Sequence, residues 1–251
     1  MSDLESRIAG LSPAKRALLE RWFEKAAKDE THAIRPRSSD ANLPLSFSQQ
    51  RLWFLDHWET GNPAYNAFRV FELEGPLDIT ALQCALTEIS RRHESLRTTF
   101  SSGPDGPVQI VHPPSPFEIR RFQIHGSTDS QKWAEALKVS EQETTRPFNL
   151  ATGPLLRASL LDLQLQRHLL VLTIHHIISD GWSMGVLYRE LFTLYEEFAS
   201  KRSCSLPDLP IQYADFAIWR RRRLQGEFLR MQLSYWQEQS LSALKASLSC
   251  S

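Results

Sequence analysis

The 251-residue sequence predicts an α+β fold, an α/β sandwich in which a mixed sheet is flanked by helices. Three observations lead there. The 3.6-residue period of helices and the two-residue period of strands both occur along one chain. Two apolar runs, Leu155 to Leu163 and His168 to His175, suit buried strands, the second a central one. Clear amphipathic helices open at Asp78 and after Asp180-Gly181.

In chain order, Ser12-Pro13 is a helix start, and Leu18, Leu19, Trp22 and Phe23 recur at helical spacing to about Lys28. Residues 29–44 are polar and contain Pro36, Ser38, Ser39 and Asn42, so residues 1–44 read as a helix and linker. The main domain then occupies residues 45–240. It opens with a helix after Ser48 and a strand from Ala67 to Leu73. The helix opened by Asp78 puts Leu82, Ala85, Leu86 and Ile89 on one face. The Gly and Pro residues of Ser101 to Pro107 mark a turn between strands at Arg97 to Phe100 and Val108 to His112. A strand from Phe117 to Ile124 and a long polar helix from Asp129 to Arg146 precede the two apolar runs. After Asp180-Gly181, residues Met184, Leu187, Leu191, Leu194, Tyr195 and Phe198 return to a helical period. Helix is expected again from Phe216 to Trp219 and from Glu227 to Gln239, and residues 241–251 form a tail rich in Ser, Leu and Ala.

Hydrophobic residues make up 41% and charged residues 23%, the balance of a folded globular protein rather than a disordered one. Lys plus Arg, 29, equals Asp plus Glu, 29, so no overall field gathers phosphates or anionic lipids. Nucleic acid and membrane are therefore not expected partners. The N-terminus carries Asp3, Glu5 and Arg7 where a secretory signal would be apolar, which points to a cytoplasmic protein. Cys84, Cys204 and Cys250 are widely separated and odd in number, as reduced thiols would be.

The residues best suited to chemistry are His175-His176-Ile177-Ile178-Ser179-Asp180-Gly181, where a buried strand gives way to a helix. Paired histidines at a strand end are often plain core or rim residues. Two imidazoles and a carboxylate also resemble a metal ligand set, but successive strand residues face opposite ways, so one ion could bind both only if the strand ended between them. No metal is expected. One histidine can face a cleft while its neighbour packs behind it.

The pattern His-His-x-x-x-Asp-Gly resembles the signature of the chloramphenicol acetyltransferase-like superfamily, and His175 to Ser183 is similar to the form found in condensation domains of nonribosomal peptide synthetases. Three further segments agree in order: Leu45 to Leu55, at Ser46, Gln49, Arg51, Leu52 and Trp53; Arg92 to Phe100; and Tyr213 to Trp219. The resemblance covers residues 45–239, and residues 11–22 resemble the helix that begins many synthetase modules. It implies a single chloramphenicol acetyltransferase-like lobe, the N-terminal half of a domain that joins two carrier-protein thioesters through an amide. His176 would then be catalytic, with His175, Asp180, Gly181 and Arg97 shaping the site. Substrates would arrive on the phosphopantetheine of carrier proteins, with no cofactor bound directly. A second lobe or downstream synthetase domains would be partners, the second lobe giving Asp180 an arginine. Ending near residue 240, the chain is expected to be a truncated domain with little or no activity alone. Two other readings are a self-associating acyltransferase and a non-catalytic carrier-protein binding module. Taken by themselves, Arg92, His93 and Arg97 suit a helix end, and Trp53, Phe54, Tyr213, Phe216 and Trp219 suit packing.

Overall fold

A computed structural model describes residues 33–38, 42–104, 106–226 and 228–237. The helix expected within residues 12–28, the tail 241–251 and Cys250 lie outside them. The chain divides into two units, residues 36–221 and a second formed by 1–35 with 222–251. In the second unit, residues 228–237 are helical.

The first unit opens with helix α1 (Phe47–Trp58). Ser46 caps it: the Ser46 side chain accepts from the Gln49 amide while the Gln49 side chain accepts from the Ser46 amide, a reciprocal cap. Strand β1 (Asn66–Glu74) leads to α2 (Ile79–Arg92), capped by the Asp78 carboxylate on the Ala81 amide. Ala81, Leu82, Ala85, Leu86 and Ile89 form its buried face, as their spacing requires. The hairpin of β2 (Thr98–Gly103) and β3 (Gly106–Val111) stands apart as a two-stranded sheet. Strand β4 (Ile119–Gln123) and helix α3 (Asp129–Thr145) follow.

The apolar runs become β5 (Leu156–Gln164) and β6 (Arg167–His175). The sheet order is β1-β6-β5-β4: β6 pairs antiparallel with both β1 and β5, and β5 pairs parallel with β4 through the α3 crossover. The mixed sheet expected from the sequence is thus present, with β6 internal. Both faces of β5 and β6 are covered, which explains their nearly continuous apolar character. On one side Leu156, Ala158, Leu160, Leu170, Leu172 and Ile174 meet α2 and α4 (Gly181–Ala199). On the other, Leu161, Leu163, Leu169 and Val171 meet Ala136 of α3. Helix α3 is polar because its buried side also holds Glu143, which accepts from Arg120 (2.7 Å) and Ser159 (2.9 Å).

Helix α5 (Tyr213–Arg223) closes the unit. Asp215 takes a bond from the Arg37 guanidinium at 3.0 Å, and the same guanidinium pairs with Glu94 at 2.7 Å, tying residue 37 to two distant segments. Tyr213 bonds Ser46 at 2.9 Å, and Arg221 donates to the Leu45 carbonyl at 2.6 Å. The segments at 45–55 and 213–219 therefore brace one another; of the aromatics expected to pack, Trp53 lies against the core, whereas Phe54 and Tyr213 are exposed.

Candidate acyl-transfer site

Strand β6 ends at His175, and His176 begins a single 3-10 turn, His176–Ile178, before α4. The strand does end between the two histidines, the one circumstance in which they could share an ion. Their environments keep them apart instead. His175 is 2% exposed, with Phe148 and Tyr65 rings against it at 6.0 and 6.3 Å between centroids. Its Nδ1 accepts the Ile177 N–H at 3.1 Å, which leaves the ring proton on Nε2. Burial, with the neighbouring His176 adding to it, pushes the His175 imidazole down to about 4, so the ring is neutral at pH 7.

His176 is exposed, and its Nδ1 lies 3.2 Å from the Ser179 carbonyl oxygen. A carbonyl can only accept, so Nδ1 carries the proton and the Nε2 lone pair is left for solvent or substrate. Two adjacent imidazoles thus hold opposite tautomers, one turned into the core and one outward. Helix α1 packs against the turn that carries His176.

Asp180 is the N-cap of α4. Its carboxylate accepts the Ser183 N–H at 2.8 Å, and its own N–H donates to Ser183 Oγ at 2.7 Å. The Ser183 amide bond above all, with help from the Ser183 hydroxyl and the Trp182 amide, holds this carboxyl below the usual range despite some desolvation. The Ser183 amide, helped by that of Trp182, is therefore committed to the Asp180 carboxylate. Gly181 needs no unusual backbone, and a Cβ there would meet nothing within 4 Å. The space over it is open.

Arg97 sits in the 3-10 turn Glu94–Arg97, one residue before the strand that the sequence suggested it would begin. Its guanidinium donates to the His112 carbonyl and lies 3.8 Å from Glu94, while its Nε is buried without a partner. These contacts join it to the base of the β2–β3 hairpin. Its neighbours Ser95 and Leu96 do reach the histidine loop. With His93 they line one side of a cavity of about 160 Å³ whose other side is Ile174, Ile178, Ser179, Trp182, Ser183 and Leu187. The segments 92–100 and 175–183 meet there. Sequence reasoning singled out neither this cavity nor Glu190, which accepts from His93 at 2.8 Å, because no short-range pattern announces a pairing across 97 residues. Among the described residues no group of three or more His, Cys, Asp or Glu could hold a metal ion, and no helix is long and apolar enough to cross a membrane. Cys84 and Cys204 are free thiols.

A mixed sheet sandwiched by helices, with two histidines at the end of its internal strand and Asp-Gly opening the next helix, defines the chloramphenicol acetyltransferase-like class. The chain belongs to the condensation domain family, whose model matches residues 39–248. It is 42% identical over 240 residues to phosphinothricin tripeptide synthetase PhsC of Streptomyces viridochromogenes, covering 95% of this chain and 22% of that protein. It is 44% identical over 196 residues to chondramide synthase cmdD of Chondromyces crocatus, covering 78% of this chain and 5% of that one. Among solved structures it is similar to the X-domain from teicoplanin biosynthesis, with 28% identity and a TM-score of 0.70 over 82% of this chain and 45% of that one. The starter condensation domain of rhizomide synthetase RzmA shares the fold, at 20% identity and a TM-score of 0.71 over 80% and 48%. The chain thus spans about half the length of these structures and a small part of the synthetases.

Proposed function

We propose that this chain supplies the histidine-bearing half of an amide-forming site, in which the amine of an aminoacyl thioester on one carrier protein attacks the acyl or peptidyl thioester on another. The observation that carries the reading is the exposed His176 imidazole, fixed by the Ser179 carbonyl so that Nε2 presents a lone pair at the end of a rigid strand. In the reaction the amine nitrogen bonds to the thioester carbonyl carbon, the C–S bond breaks, and the departing sulfur leaves as thiol with the proton the amine loses. An α-amine with a pKa near 8 is about one-tenth neutral at pH 7, so prior deprotonation is worth only roughly 1.4 kcal/mol. The task of His176 is to orient the amine and take its proton as the tetrahedral species forms, an effect of roughly a hundredfold or more.

The other site residues support that ring. His175 anchors the turn from behind as a neutral group and so places no charge beside His176. Asp180 sets the start of α4, and Gly181 leaves room for a phosphopantetheine arm. Arg97 shapes the site at one remove, through the hairpin base and the segment that lines the cavity. Because His176 faces outward, a second lobe is needed to exclude water and give the reacting charges a low-dielectric setting. The proposed partners are two carrier proteins, that lobe and neighbouring synthetase domains, with the reaction taking place in the cytoplasm.

The test is single-turnover amide formation from carrier-bound donor and acceptor, read by mass spectrometry, with a complementary second lobe supplied. His176→Ala should lower the rate at least about a hundredfold while the unfolding midpoint stays unchanged. Undiminished turnover by a folded His176→Ala chain would overturn the reading.

A further inference from the structure

We infer that the cavity between segments 92–97 and 174–187 is a side-chain subsite for a single aromatic ring bearing a hydroxyl group, carried by the aminoacyl or acyl unit presented to His176. This rests on the amide-forming reading above. The volume sets the size: about 160 Å³ is close to the roughly 150 Å³ of an apolar cavity that takes up benzene. One ring fits. The walls set the character, since Leu96, Ile174, Ile178 and Leu187 are buried and apolar. The position sets the relevance: Ser179, whose carbonyl orients His176, lines the same cavity, and Trp182, 86% exposed, offers an indole face on which an entering ring can stack.

The one imidazole in this lining belongs to His93. Its Nε2 lies 2.8 Å from the Glu190 carboxylate, which also accepts from Arg92 at 3.3 Å. Burial works against that carboxylate, yet the bonds from His93 and Arg92 outweigh it and keep Glu190 below the usual range and ionised. An ionised carboxylate only accepts, so the proton of a neutral His93 is on Nε2 and its Nδ1 is an acceptor. In the inferred subsite this Nδ1 stands at the side of the apolar cavity, where it favours a ring carrying an O–H, because a bare ring of the same size would leave that nitrogen unpaired. With His93 partly open to solvent, the preference is about tenfold, the worth of one hydrogen bond.

The test titrates p-cresol and toluene onto the full chain, followed by 1H–15N NMR. The expected result is displacement of the Ile178, Ser179 and Leu187 amide signals, with p-cresol binding about tenfold more tightly than toluene. His93→Phe should bring the two affinities together. Val186→Phe, which fills the cavity from a half-buried position, should abolish both. Equal affinities in the native chain, or shifts confined to other residues, would overturn the assignment. So would no binding by a chain that keeps its native spectrum. Should amide formation depend on His176 while neither ring binds, the subsite falls and the amide-forming reading stands. Binding of p-cresol at this cavity by a chain whose turnover ignores His176 would have the opposite meaning.

Discussion

Part of this protein's loss of stability in acid should come from one ring, that of His175. In the folded chain it gains a proton only near pH 4, whereas in the unfolded chain it does so near the ordinary 6.5. Between those values the unfolded state holds the extra proton, so stability from this group falls as pH falls from 6.5 to 4 and is flat below. Each tenfold difference in proton affinity is worth about 1.4 kcal/mol, so the whole window amounts to roughly 3 kcal/mol, a large share of a domain's stability. The informative variant is His175→Asn, whose side-chain oxygen can accept the Ile177 N–H in place of Nδ1 but does not titrate. Loss of the ring against Phe148 and Tyr65 lowers its stability by an amount independent of pH. The comparison therefore uses the change between pH 7 and pH 4, measured by urea unfolding at each pH. The native chain should lose roughly 3 kcal/mol more than His175→Asn across that interval. Equal losses in the two proteins would refute the claim that this imidazole is held neutral by burial.

Asp180→Ala removes the side-chain half of the α4 cap, leaving the residue-180 N–H on Ser183 Oγ, and should cost about 1 kcal/mol in urea unfolding, whereas Asp180→Asn, still able to cap, should cost much less. Gly181→Ala should leave stability unchanged or slightly raised, since its Cβ meets nothing, yet slow amide formation if a substrate arm crosses that space; an unchanged rate would remove Gly181 from the site. Leu160→Ala, at the centre of the sheet, should lower stability by about 2–5 kcal/mol.

Much of this architecture is legible in the residues because local and tertiary demands coincide. Ala81, Leu82, Ala85, Leu86 and Ile89 repeat at helical spacing because α2 has one buried face, and β5 and β6 are continuously apolar because they have two. The hairpin at 98–111 follows from its Gly and Pro residues, and the helix after Asp180 from its cap. Alternation in a strand foresaw one histidine inward and one outward, although the cause lies elsewhere: the strand stops at His175 and a 3-10 turn aims His176 away. The polar character of α3 hides its contact with the sheet, since Glu143 is buried there by Arg120 and Ser159, which the pattern of α3 does not contain. Arg97 shows a similar limit. Its motif places it near the histidines in sequence logic, while its bonds go to His112 and Glu94 at the hairpin. Glu190 carries no local signal and acquires its significance only when α4 lies beside His93.

The division of labour between the two imidazoles is most directly tested by long-range 1H–15N correlation spectra of the histidine side chains near pH 7. His176 should show a protonated Nδ1 and a bare Nε2, and His175 the reverse. A proton found on Nε2 of His176 in the neutral ring would remove the lone pair assigned to the amine and contradict the account.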